Sequence, residues 1–255
     1  MIKTIKFPAP QLSQLKEVVV DLDLTGKHYK ELALSEGKFS EEVALSVVRD
    51  LLLEGDASKL TLSELRYIFT LVKINSLEDD YTATVYCTLP NKEGNKCNCE
   101  NHFKIKLSDA DLNPTPKNYK VPTIKFVAES TEKLYKILPP TIDFEIALYD
   151  WLLTAKNISK EDLEHNKECQ LDYAFIRAVG HLVDENGQRL IKDFSDFEPV
   201  MSYYDVNKYQ TITALNKYVV EVNSFGVQNK VHEFKCKECG GTLKFQLPLL
   251  YGLVM

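Results

Sequence analysis

Clustered cysteines constrain this chain of 255 residues more than any other feature. The first cluster holds Cys87, Cys97 and Cys99, the second holds Cys236 and Cys239, and Cys169 stands alone. The first eight residues carry no apolar segment of the kind found in a secretory signal, so we expect reduced thiols and not disulfides. Reduced cysteines that occur in clusters are typical ligands of a metal ion.

The two clusters share a local pattern. A strand-like segment ends at the first cysteine of each cluster, Cys87 or Cys236. The second cysteine, Cys99 or Cys239, lies four residues before an apolar residue that opens another strand-like segment. This common pattern predicts two knuckle hairpins that face each other around one ion.

Four thiolates in a closed tetrahedral site are typical of structural zinc. The sequence therefore predicts a structural Zn²⁺ site with four ligands, Cys87, Cys99, Cys236 and Cys239. An iron–sulfur cluster is the alternative, because it also takes four cysteines, and Cys97 is the alternative to Cys99. The neighbouring His102 and His232 are weaker candidates for a mixed site. The remaining Cys169 is expected in a hydrophobic core.

Hydrophobic periodicity predicts an α+β fold. Apolar residues at helical spacing predict helices, which begin near residues 40, 61, 141, 171 and 209, and residues 131–226 read as mainly helical. Alternating or β-branched residues predict strands near residues 18–20, 82–86, 103–107, 124–126, 231–236 and 242–247. We expect a mainly helical N-terminal region of residues 1–78. A cysteine-bearing β module of residues 79–127 and 231–255 would enclose a long, mainly helical insertion of residues 128–230.

Charge and motif content exclude several classes of function. The formal net charge of −6 argues against a general nucleic-acid binder, and no apolar run approaches the roughly 20 residues of a membrane helix. The sequence has no P-loop, nucleophile elbow or zinc-protease motif, so we expect no enzymatic activity. Lysines near both cysteine clusters leave a zinc-ribbon nucleic-acid-binding protein as the alternative function.

The order of these segments resembles a known family. A helix containing Leu62–Phe69 precedes the first cysteine cluster, and Cys236–Gly240 precedes an apolar C-terminal tail. This order, from Phe39 to Met255, resembles that of baseplate hub and hub-assembly proteins of large contractile-tailed bacteriophages. The resemblance implies a virion protein that is also present in the host cytoplasm during assembly. It further implies contacts with other tail or baseplate subunits. For the tail, Leu249–Met255, we expect either packing on the protein's own core or docking on a partner.

Overall fold

The computed structural model describes residues 1–33, 40–77, 80–90, 93–106, 111–155, 165–193, 197–228 and 231–246. The α-helices are α1 (Gly26–Ala33), α2 (Ser40–Leu51), α3 (Leu62–Leu77), α4 (Ile142–Ala155), α5 (Lys167–Val179), α6 (Glu198–Val206) and α7 (Tyr209–Asn223). The strands are β1 (Ile2–Ile5), β2 (Val18–Asp21), β3 (Leu52–Glu54), β4 (Asp80–Tyr86), β5 (Glu100–Lys106), β6 (Asp111–Asn113), β7 (Thr123–Ala128), β8 (Thr131–Ile137), β9 (Leu182–Val183), β10 (Gly226–Gln228), β11 (Val231–Lys235) and β12 (Thr242–Gln246). Helices combine with small antiparallel sheets, which confirms the predicted α+β class.

A first hydrophobic core lies in the N-terminal part of the chain. Helices α2 and α3 pack on the antiparallel sheet β1-β2-β3. Helix α3 begins at the sequence Thr61-Leu-Ser-Glu64, which has the form of a capping box. The backbone N–H of Thr61 donates to Glu64 Oε2 at 2.8 Å, and the N–H of Glu64 donates to Thr61 Oγ1 at 3.3 Å. Both residues are buried, so the start of α3 is fixed by a hydrogen-bonded pair inside the core.

A second hydrophobic core joins helices α4 to α7 with the sheet β7-β8-β9. At its centre, the ring of Phe197 meets those of Phe144 and Trp151 edge to face, with centroids 5.6 and 5.7 Å away. Such T-shaped contacts are a favoured geometry for aromatic side chains. The helices that the sequence predicts to begin near residues 141 and 209 correspond to α4 and α7, which belong to this core.

Strand β8 corrects the sequence-based prediction. Residues 131–137 read as the start of the helical stretch, but they form a hairpin with β7 in which Ala128 pairs with Thr131. The two turn residues between them, Glu129 and Ser130, have φ of 49° and 64°. Both values are typical of the tight two-residue turn of a hairpin, which usually contains Asn or Gly. The sequence gives no such turn signal here, so the hairpin was missed.

The two cysteine clusters lie on separate hairpins. In the first hairpin, β4 pairs with β5 from Asp80↔Lys106 to Tyr86↔Glu100. In the second, β11 pairs with β12 from Val231↔Gln246 to Lys235↔Thr242. Each hairpin therefore ends in a loop that carries cysteines, as the sequence predicts.

The predicted division into three regions stays a prediction. Two packing features involve residues near its boundaries. Strand β7 falls within the predicted β module, yet Ile124, Phe126 and Ala128 are buried in the helical core. Strand β6 pairs with β10, so the chain on either side of the helical region is joined there as well. Among the described residues, the helices are too short or too polar to cross a bilayer.

Candidate metal centre

The loop of the first hairpin folds back on itself and carries Cys97 towards Cys87. The N–H of Cys87 donates to the carbonyl of Cys99, the N–H of Asn98 donates to the carbonyl of Cys87, and the N–H of Cys97 donates to the carbonyl of Leu89, each at 2.9 Å. Asn98 has a φ of 51°, a left-handed conformation that Asn tolerates better than most residues. The chain therefore turns between Cys97 and Cys99, and the two side chains have different surroundings.

The second hairpin ends in a tight turn over Cys236–Gly241. The N–H of Cys236 donates to the carbonyl of Gly241 at 2.8 Å, and the N–H of Gly240 donates to the carbonyl of Cys236 at 3.0 Å. Gly240 has a φ of 70°, which favours glycine. The N–H of Gly241 donates to Cys239 Sγ at 3.4 Å, so a backbone amide of this turn forms a hydrogen bond to one of the sulfurs.

Glycine at position 241 also lets the two hairpins approach each other. A Cβ atom at this position would lie 2.5 Å from Cδ1 of Leu89, which belongs to the first hairpin. This distance is far shorter than a normal contact between carbon atoms. The absence of a side chain at Gly241 thus lets Leu89 pack closely on the Cys236–Gly241 turn, and a larger residue there would require the Leu89 side chain to move.

Four sulfur atoms from the two loops form one group. Sγ atoms of Cys87, Cys97, Cys236 and Cys239 all lie within 4.8 Å of one another. Cys87 Sγ is 3.6 Å from Cys239 Sγ, and Cys97 Sγ is 3.8 Å from Cys236 Sγ. Both contacts join one hairpin to the other, so each sulfur has a cross-hairpin neighbour. The prediction that two distant segments bring their cysteines together is confirmed.

The spacing of these sulfurs suits one tetrahedral ion. A zinc–sulfur bond is about 2.3 Å long, and a regular tetrahedron with this bond length has sulfurs about 3.8 Å apart. A disulfide, by contrast, needs sulfurs about 2.05 Å apart. The donor set and its spacing therefore fit a single metal ion with four thiolate ligands. Cys87 and Cys236 are buried, and Cys97 and Cys239 are partly exposed, which leaves a path for metal entry.

The predicted ligand Cys99 lies beside this group and outside it. Its Sγ is 3.5 Å from the carbonyl oxygen of Glu100, and the residue is buried. The structure thus brings three of the four predicted residues together and adds Cys97, the alternative to Cys99. The sequence pattern shared by the two hairpins favoured Cys99, because residue spacing alone contains no information about the left-handed turn at Asn98.

The other candidates have different environments. His102 is exposed, and its Nδ1 lies 3.1 Å from Thr84 Oγ1. The ring of His232 stacks on Phe234, with centroids 6.2 Å apart. Neither histidine belongs to the sulfur group. Cys169 is buried in the second hydrophobic core, as predicted.

Local contacts give the thiols different acidities. Burial raises the pKa of the Cys87 thiol to about 12. Hydrogen bonding, chiefly from the backbone N–H of Cys239, lowers the pKa of Cys236 to about 6 in spite of its burial. A bound cation stabilises thiolates, so metal binding at this group would release protons from the more basic thiols.

Apolar contacts hold the two hairpins together around the sulfurs. The rings of Phe103 on β5 and Phe234 on β11 stack with centroids 4.0 Å apart and planes 13° apart. Leu243 on β12 is buried in the same cluster as the cysteines. A neighbouring cluster that contains Ile105 of the first hairpin packs against Phe234 and Phe245 of the second. Both clusters are small compared with the two main cores.

A family model described as T4 bacteriophage base plate protein matches residues 9–198. No curated protein and no solved structure gives a match. The match covers about three quarters of the chain and includes the first hairpin. It ends before Cys236 and Cys239, which supply half of the sulfur group.

Proposed function

Because the chain belongs to the family of T4 bacteriophage base plate proteins, we propose that it is a structural or assembly subunit of the baseplate hub. Membership of the family confirms the resemblance to phage baseplate proteins. It makes the protein a component of the phage tail that contacts other baseplate proteins. The place in the hub, the role in assembly and the absence of enzymatic activity are the proposed parts.

The metal centre is the second part of the proposal. A Zn²⁺ ion bound by Cys87, Cys97, Cys236 and Cys239 would join the two hairpins. The four thiolates leave no open coordination position, and closed sites of this kind stabilise structure without catalysing reactions. The ion would therefore shape a surface of the subunit by fixing the second hairpin against the first.

The spacing of the sulfurs supports zinc over the alternative cofactor. One ion fits at the centre of sulfurs that lie 3.6 and 3.8 Å apart across the hairpins. An iron–sulfur cluster with several irons and bridging sulfides needs a wider arrangement of cysteines. A visible absorption spectrum of protein purified without oxygen tests this choice, because iron–sulfur proteins are coloured and zinc proteins are colourless.

The alternative function, nucleic-acid binding, has weaker support from the charges around the site. Lys244 lies 3.3 Å from Glu233 across the second hairpin, so part of the positive charge is neutralised. The formal net charge of −6 also opposes binding to phosphates.

Immunoprecipitation of the full chain from phage-infected cells tests the baseplate role. We expect other baseplate and tail proteins in the precipitate, and the chain itself in purified tails. Nucleic acid that co-purifies and dissociates steeply with added salt would instead favour the alternative. A precipitate without tail proteins, together with purified tails that lack the chain, would contradict the proposal.

A further inference from the structure

A buried asparagine connects the two hairpins beside the sulfur group. Asn101 lies on β5, opposite Val85 of β4, and its side chain is only 2% exposed. Its amide makes contacts with both hairpins. The nitrogen Nδ2 donates to the carbonyl of Cys99 at 2.9 Å, and the oxygen Oδ1 accepts the backbone N–H of Lys237 at 3.0 Å.

The same amide nitrogen also faces a sulfur of the site. Asn101 Nδ2 lies 3.6 Å from Cys236 Sγ, within the range of a hydrogen bond to sulfur. A donor at this place stabilises a thiolate and fixes the orientation of the side chain that carries it. Asn101 is thus bonded to the backbone of one hairpin loop and to both the backbone and the ligand sulfur of the other.

We infer that Asn101 is a positioning residue of the metal centre, an inference that rests on the proposed metal site. Its amide holds the Cys236–Cys239 turn in register with the first hairpin and donates to the Cys236 thiolate. Four thiolates around a divalent ion carry an excess of negative charge, which a neutral N–H donor offsets without competing for the metal. Replacement of a residue that forms hydrogen bonds to metal ligands typically weakens metal binding 10- to 100-fold.

The variant Asn101→Asp separates this role from simple filling of space. Asp has nearly the same shape as Asn and keeps an oxygen for the N–H of Lys237, but it replaces the donor to sulfur with an acceptor. Asn101→Ala removes all three contacts of the amide, to the carbonyl of Cys99, the N–H of Lys237 and the sulfur of Cys236. Asn113→Asp is the matched control, because Asn113 on β6 also donates to a backbone carbonyl, that of Ser224, at 2.7 Å and lies outside the cysteine hairpins.

Metal affinity is measured on the full chain with Co²⁺ and Zn²⁺ in competition with a chelator. We expect Asn101→Asp and Asn101→Ala to bind 10- to 100-fold more weakly than the parent, and Asn113→Asp to bind like the parent. The sulfur-to-cobalt absorption bands of Asn101→Asp should shift, since the electrostatic environment of one ligand changes. Hydrogen exchange at the N–H of Lys237 should accelerate in Asn101→Ala.

The outcomes distinguish this inference from the metal site itself. A parent protein that binds neither ion contradicts the metal site and this inference with it. A parent that binds metal, with both Asn101 variants equal to it in affinity and spectrum, overturns the inference alone. Emission from Trp151, buried in the second core, reports general folding. Loss of native emission in both Asn101 variants would make Asn101 a general folding residue and would also overturn the assignment.

Discussion

Two cysteines of one loop, Cys97 and Cys99, show how a single backbone angle changes the role of a side chain. Both are close in sequence to the strand that follows, and the shared hairpin pattern favours Cys99. The left-handed conformation of Asn98, with φ of 51°, separates their directions. Cys97 Sγ meets Cys236 Sγ at 3.8 Å, whereas Cys99 Sγ meets a carbonyl oxygen. Sequence spacing cannot reveal such an angle, because an Asn residue permits a left-handed conformation without requiring it.

Replacement of each cysteine by serine tests the ligand set. We expect Cys97→Ser to lose most of the bound metal, since a tetrahedral thiolate site then lacks one ligand. Cys99→Ser should keep about one metal per chain. Elemental analysis of both purified variants measures the difference. Retention of metal in Cys97→Ser together with its loss in Cys99→Ser would support the original pattern-based ligand set.

A buried histidine, His181, makes stability depend on pH. The ring is fully buried, with Nδ1 2.8 Å from the carbonyl oxygen of Arg177, while Asn223 Nδ2 donates to Nε2 at 3.0 Å. This pattern fits a neutral ring that donates from Nδ1 and accepts at Nε2. Burial lowers the pKa of His181 from 6.5 to about 4.

The depressed pKa of His181 predicts a loss of stability in acid. Between pH 6.5 and 4 the unfolded chain binds this proton and the folded chain does not, so the free energy of unfolding falls as pH falls. Above pH 6.5 both states are neutral and the contribution is complete. We expect roughly 2 kcal/mol to be lost between pH 7 and 5. Urea unfolding at these two values measures it.

His181→Gln should lose less stability than the parent over the same pH range, because the titrating group is gone. Exposed His165 provides the control, and His165→Gln should behave like the parent. Parallel losses in the parent and in His181→Gln would refute the assignment.

At the scale of elements, local signals were sufficient where a whole motif lies within a few residues. The residues Thr61-Leu-Ser-Glu64 match the capping-box pattern, and the structure forms both of its hydrogen bonds. The residues Asp184-Glu-Asn-Gly187 are typical of a turn, and the structure forms it, with Asp184 Oδ1 accepting the N–H of Asn186 at 2.9 Å. The hairpin of β7 and β8 was not predicted, because its turn residues Glu129 and Ser130 adopt left-handed angles without Asn or Gly. The buried residues of both strands pack in the second hydrophobic core, so the hairpin is held by contacts that are distant in sequence.

The capping box gives a stability prediction for helix α3. We expect Thr61→Ala to be less stable than Thr61→Ser by about 1 kcal/mol, because only the serine keeps an oxygen that accepts the N–H of Glu64. Both variants lack the γ-methyl group of threonine, so the comparison isolates the contribution of the hydroxyl group. Chemical denaturation of the two variants measures the difference. Equal stability would show that the buried pair at this helix start contributes nothing.

At the scale of the whole molecule, the sequence predicted that the two cysteine segments meet, although Cys87 and Cys239 are 152 positions apart. That prediction was possible because thiol clusters indicate a shared ligand and hence a contact. The pairing of β6 with β10 carries no such chemical signal and was not predicted. Long-range contacts between ordinary apolar or backbone groups are set by the packing of the entire chain.

The apolar tail Leu249–Met255 lies outside the described residues, and its role stays a prediction. Apolar surface of this size is seldom left exposed. Burial on a partner would contribute several kcal/mol at about 25 cal/mol per Å² before ordering costs. Deletion of these residues should leave a folded protein with its metal that no longer joins other baseplate subunits in immunoprecipitation. Precipitation of the truncated chain alone would instead indicate that the tail is part of its own core.

X-ray absorption at the zinc edge shows whether one ion held by four sulfurs joins the two hairpins. The measurement needs only the full chain purified from cells without added metal. We expect about one zinc per chain, with four sulfur neighbours at about 2.3 Å. A purified chain that contains no bound metal, or a zinc ion with mainly nitrogen and oxygen neighbours, would contradict this arrangement.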